Sequence, residues 1–127
     1  MSSNKILKLI KEKEIEYIDL RFTDPKGKLQ HVTMDKTVVD EKMLNEGIFF
    51  DGSSIAGWKA INESDMILKP DLEREIIDPF TSHNTLILFC DVLDAVKKTP
   101  YERDPRSTAK KAESYLKKSG IGDKAFF

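Results

Sequence analysis

Apolar residues along this chain change period several times, and each change marks an element. Ile6, Leu7, Leu9 and Ile10 recur at helical spacing among lysines and Glu12, which predicts a helix from about Asn4 to Lys13. Ile15 to Phe22 then alternates imperfectly: Ile15, Tyr17 and Phe22 are apolar, while Ile18 and Leu20 switch phase. That stretch reads as a strand. Asp24-Pro25-Lys26-Gly27 follows as a reverse turn, in which proline presets φ and glycine accepts a positive φ near the exit. Lys28 to Met34 returns as a second strand, so the two form a hairpin.

Asp40 is placed to cap a short helix over Glu41 to Asn45, with Gly47 as its stop. Phe49-Phe50 then leads into a loop. Met66 to Asp71 reads as a strand that Pro70 terminates, and Glu75 to Phe80 as another short strand. Leu86 to Val92 is the most apolar run and is predicted to be a central strand. The pattern lapses after Val92. Asp94 to Arg106 holds charges, two prolines and no apolar period, so it marks a boundary between a domain over 1–100 and a second one beginning over 101–127. Asp104 then suits an N-cap with Pro105 at the first helical position. Ala109, Ala112, Tyr115 and Leu116 supply an apolar face, Lys117 and Lys118 match the negative dipole end, and Gly120 stops the helix. Phe126-Phe127 reads as the opening of a further strand. The order implies an α+β fold with a mixed sheet and a helix packed on one face.

Composition narrows the classes of function. A chain of 127 residues suits one domain and the start of another. Its formal net charge of −1 lacks the sign imbalance of a nucleic-acid platform, so no nucleic-acid partner is expected. No apolar run approaches the roughly 20 residues that cross a bilayer, and the N-terminal segment lacks the apolar core of a secretory signal. No membrane association is expected. Cys90 is the single cysteine, which rules out an internal disulfide, and its apolar surroundings suit a small buried hydrophobe. A reducing, cytoplasmic location fits.

The chemistry concentrates between Phe49 and Met66. Two aromatics lead into Asp51-Gly52-Ser53-Ser54; the only tryptophan, Trp58, follows, and then Asn62-Glu63-Ser64-Asp65. Asp51 leaves an apolar segment at a glycine, so its carboxylate is placed at an edge. Ionised, it only accepts hydrogen bonds, which suits a small cation bristling with protons, such as ammonium. It can also take a proton as that cation becomes a nucleophile. The plainer reading is a turn in which Asp51 binds nearby backbone. Ser53 and Ser54 equally either satisfy the turn or touch a partner. Trp58 fits an interface anchor or a cover over the domain's own core. Glu63 and Asp65 invite a metal assignment, but a divalent cation wants several converging oxygens, and capping or ion pairing, for example with Lys59, explains them better. His31 and His83 have no ligand-spaced partner, so zinc is not expected. No phosphate-binding glycine loop is present, and nothing places a Ser-His-Asp set together.

The run from Phe49 to Met66 closely resembles the N-terminal signature of glutamine synthetases, in its Phe-Asp-Gly-Ser-Ser and its Asn-Glu-Ser-Asp-Met block. Asp19-Leu20-Arg21-Phe22-Thr23-Asp24, Lys26-Gly27-Lys28, Gln30-His31-Val32-Thr33 and Arg103-Asp104-Pro105-Arg106-Ser107 extend the likeness, nearest to the bacterial class. The resemblance covers essentially the whole chain. It implies a small β-grasp-like N-terminal domain followed by the start of the catalytic domain, together about the first quarter of such an enzyme.

Members of the family make glutamine from glutamate, ammonia and ATP through a γ-glutamyl phosphate, using Mg2+ or Mn2+. The resemblance gives Asp51 the ammonium site and its deprotonation, at the active site of a neighbouring subunit in a dodecamer of stacked hexamers. It places Ser53, Ser54, Trp58, Glu63 and Asp65 on the subunit-interface loop. The family's metal- and nucleotide-binding residues lie beyond a segment ending like Ala125-Phe126-Phe127, so this chain alone is expected to bind neither and to be inactive. The rival reading is a non-catalytic β-grasp module that docks a partner through the 51–65 loop. An open reading frame continuing into strand-borne glutamates would favour the enzyme.

Overall fold

The computed structural model describes residues 2–55, 57 and 65–126. The first helix, α1, spans Ser3–Glu12 and buries Ile6 and Ile10, which lie one turn apart on the same face. Strands β1 (Tyr17–Thr23) and β2 (Leu29–Asp35) form the expected hairpin, with Arg21 opposite His31 and Asp19 opposite Thr33. The 24–28 turn is closed by Asp24, whose carboxylate accepts from the Lys26 and Lys28 amides. Helix α2 (Glu41–Glu46) is capped by Asp40, which accepts from Met43 N at 2.8 Å. Gly47 ends it at φ +86°, and a Cβ there would meet the Leu68 carbonyl oxygen at 2.3 Å, so only glycine fits.

Strands β3 (Ile48–Asp51), β4 (Asp65–Ile77) and β5 (Thr85–Asp94) complete a five-stranded sheet in the order β2-β1-β5-β4-β3. β1 runs parallel to β5, and every other neighbouring pair is antiparallel. Alternation in the strands decides the two faces. Ile18, Leu20 and Phe22 of β1, Met66 and Leu68 of β4, and Leu86, Leu88, Cys90 and Val92 of β5 meet Ile6, Ile10, Met43 and Leu44 of the helices in one core. Ile18 and Leu20, out of phase with Ile15 and Tyr17 in the sequence, are therefore the core set of β1. Cys90 is buried there, as expected, and burial pushes its thiol well above the usual range. An un-ionised thiol of this kind is a packing group, not a nucleophile.

Three expectations are corrected. Pro70 does not end its strand. β4 runs through it and absorbs Glu75, Ile76 and Ile77, and the pairing with β5 slips between Pro70 and Glu75. Proline lacks the ladder donor, and it sits at the last regular pair before that irregularity, where the lost bond matters least. Asp78 to Phe80 is a turn rather than a strand end: Asp78 accepts from Phe80 N, and the Phe80 side chain is 95% exposed. Phe126 lies in no strand, and Phe127 is outside the described residues.

The last helix, α3 (Pro105–Ser119), starts at Asp104 and Pro105 and ends at Gly120 in the left-handed conformation, as its sequence predicts. Its predicted apolar face is not buried. Ala109, Ala112 and Tyr115 are exposed, Leu116 is half-buried, and the only buried residue of the helix is Ser107.

Candidate functional site

Asp51 is the final residue of β3, an edge strand, and remains exposed. Its carboxylate accepts from Ser53 N at 2.9 Å, and Ser54 Oγ donates to the Asp51 carbonyl at 2.8 Å. A single 3-10 turn over Gly52–Ser54 results. The turn reading of Asp51 and both serines is therefore realised, and it leaves Asp51 at the surface. The β3–β4 register sets Asp65 directly opposite Asp51, and Asp65 is exposed too. Like charges facing each other across a strand pair repel. That end of the edge pair thus concentrates negative charge beside the loop it carries. Asp51, Ser53, Ser54 and Asp65 come together here; Trp58 and Glu63, with Lys59 and Asn62, lie outside the described residues.

A second polar cluster was not foreseen from the sequence. Asp19 is buried on the face of β1 away from α1 and α2. It accepts from Arg21 Nε at 2.7 Å, Thr33 Oγ1 at 2.9 Å and His31 Nδ1 at 2.7 Å. A carboxylate can only accept, so His31 carries a proton on Nδ1. Burial by itself would push the Asp19 carboxyl up. The hydrogen bonds from Arg21, His31 and Thr33, with the charge of His31, outweigh it and hold the group below the usual carboxylate range. Arg21 continues to Asp78 at 3.3 Å. The signal was available. Pairs across the hairpin are fixed once its turn is placed at 24–28, and that register alone sets His31 and Thr33 beside Asp19 and Arg21. This cluster is internally satisfied and ties β2 to the sheet. Asp24 is likewise spoken for: the Gln30 amide and two backbone donors lower its pKa against partial desolvation.

The third feature is the junction before α3. Asp104 is fully buried and accepts from Arg106 N, Ser107 N and Ser107 Oγ within its own helix. It also accepts from Val92 N at 3.2 Å, while Tyr101 N donates to Val92 O at 2.9 Å. β5 has run past its last pair with β1 at Phe89, and these contacts satisfy its bare edge. Arg106 bridges Asp71 of β4 and Asp91 of β5, and Lys110 reaches Asp91 at 2.6 Å. Only the N-cap role of Asp104 was legible in advance.

Among the described residues, no group of three or more His, Cys, Asp or Glu side chains could hold a metal ion. No helix among them is long and apolar enough to cross a membrane.

Residues 14–95 match the family model described as the glutamine synthetase beta-Grasp domain. The chain is 62% identical over 125 residues to glutamine synthetase of Rhizobium meliloti, covering 98% of this chain and 27% of that protein. It is 51% identical to that of Escherichia coli K12 over 127 residues, covering all of this chain and 27% of the relative. It thus spans about a quarter of the length of these curated relatives. Its fold matches the cryo-EM structure of Plasmodium falciparum glutamine synthetase with a TM-score of 0.84 at 22% identity, over 94% of this chain and 23% of that one. The mixed sheet with its packed helices is a β-grasp, and the chain belongs to the glutamine synthetase family through this N-terminal domain.

Proposed function

We propose that this chain is the N-terminal portion of a glutamate–ammonia ligase, and that Asp51 completes the ammonium site of a neighbouring subunit. One observation carries the reading: an exposed carboxylate at the end of an edge strand, set by register opposite a second carboxylate. Such a pair favours a cation, and ammonium offers four donors to groups that only accept. Asp51 would hold the ammonium ion and accept one proton as it becomes ammonia. The ammonia lone pair would then attack the activated γ-carbonyl of glutamate, and the phosphate would leave as hydrogen phosphate, taking up the second proton that the nitrogen sheds as the amide forms. Asp65 would add to the local negative potential. The turn made by Ser53 and Ser54 would fix the direction in which Asp51 points.

ATP, Mg2+ or Mn2+ and glutamate would bind outside these residues. Residues 101–127 would open the catalytic domain, and the assembly would be a dodecamer of stacked hexamers in the cytoplasm. The 127-residue chain by itself would have no synthetase activity.

The test is Asp51→Asn in the intact synthetase that carries this segment. Glutamine formation from ammonium should fall by about a hundredfold or more, the scale of a lost general base, while ATP binding stays unchanged. Unaltered ammonium kinetics would remove Asp51 from the site.

A further inference from the structure

The segment from Arg103 to Ser107 is consumed almost entirely by the junction before α3, with one exception. Arg103 turns away from the helix. Its Nη1 donates to the Gly57 carbonyl at 2.8 Å, across 46 positions of sequence. Gly57 belongs to the loop between Asp51 and Asp65. It has φ +89°, and a Cβ built on it would sit 3.6 Å from Pro25 Cβ and Cγ. Gly57 therefore lies between Pro25 of the β1–β2 turn on one side and Arg103, in the connection leading to α3, on the other. A positive φ at this point suits glycine and lets the carbonyl face the guanidinium. The residue after Arg103 is the fully buried Asp104, so the donor is mounted beside one of the most firmly held side chains in the protein.

We propose that Arg103 is a positioning residue: it latches the Asp51–Asp65 loop to the junction of β4, β5 and α3. The latch restricts the travel of the chain on either side of Gly57. Through Arg106, which binds Asp71 on β4 and Asp91 on β5, it refers the loop to the strands that frame it. One donor meeting one carbonyl does not need the guanidinium fork, so a lysine of similar reach should serve, whereas glutamine is too short. That the latch matters for ammonium rests on the reading of Asp51 above. That it holds the loop does not.

The single tryptophan, Trp58, directly follows Gly57 and reports on the loop without any assay of activity. In the 127-residue chain, Arg103→Ala should raise acrylamide quenching of Trp58 by about twofold, as local opening becomes easier. The melting temperature should stay where it was. Arg103→Lys should keep quenching close to the parent value, and Lys118→Ala, a charge change in the last turn of α3, should leave it unaltered. If the alanine variant does not fold, Arg103→Gln replaces it with the same expected rise. Quenching that is unchanged in the alanine or glutamine variant, or that rises equally with lysine, overturns the latch. In the intact synthetase the same alanine change should raise the KM for ammonium about fivefold at constant kcat, the scale of one ordinary net hydrogen bond. A rise in quenching without a rise in KM would leave the latch standing and count against the ammonium reading.

Discussion

Helices α1 and α3 carry the same signature in the sequence, an apolar stripe among charged positions, and the fold treats them differently. α1 presses Ile6 and Ile10 into the common core and has no side-chain cap. α3 leaves Ala109, Ala112 and Tyr115 at the surface and is held at its first turns by polar contacts. Periodicity therefore says that a helix forms and which face is apolar. It does not say what covers that face. In α3 the information about placement lies in Asp104, Arg106 and Lys110, at the end of the helix where the chain enters it.

The comparison breaks most visibly at the core. Ile6→Ala removes a fully buried side chain and should cost about 3 kcal/mol, the middle of the range for an aliphatic truncated to alanine. Urea denaturation should show the midpoint falling with an unchanged slope. A cost below about 1 kcal/mol would mean that α1 is not anchored as its burial indicates.

Next in size is the polar anchor. Asp104→Ala removes the α3 cap, worth about 1 kcal/mol, and leaves the Val92 amide without its acceptor, worth about 1 kcal/mol more. The expected total is about 2 kcal/mol, with α3 losing amide-exchange protection before the sheet does. Asp104→Asn keeps one acceptor oxygen and should recover part of the loss. If the alanine variant frays α3 alone and leaves the stability of the sheet untouched, the contact with β5 carries no energy.

Much of this was legible beforehand because it is local. The 24–27 turn, the Asp40 cap, the Gly47 stop and the Asp104-Pro105 helix start depend on residues within a few positions of one another. Leu86 to Val92 declared itself by apolar content alone. What escaped detection depends on register or on distant segments. Pro70 reads as a breaker until the slip in the β4–β5 ladder shows where its missing donor falls. The parallel pairing of β1 with β5 joins residues more than sixty positions apart, from Tyr17↔Thr85 to Arg21↔Phe89, and no local pattern announces it. At the candidate site, Asp51 and Asp65 were each visible as types. Their opposition is a fact of register, and the Arg103 contact with Gly57 is a fact of tertiary packing.

The smallest expected effect is the most informative about α3. Tyr115 is 74% exposed, and serine has nearly the same helix propensity as tyrosine. Tyr115→Ser should therefore move the stability of the 127-residue chain by no more than about 0.5 kcal/mol. Leu116 differs from its neighbour: it is half-buried, with its side chain close to Gly122 beyond the helix end, so Leu116→Ser should cost measurably more. The contrast between adjacent positions separates the apolar content of a face from its burial. A loss above about 1 kcal/mol for Tyr115→Ser would show that the stripe is covered in solution. Repeating the melt across a range of protein concentrations would then distinguish a second copy as the cover, because only association makes the midpoint rise with concentration.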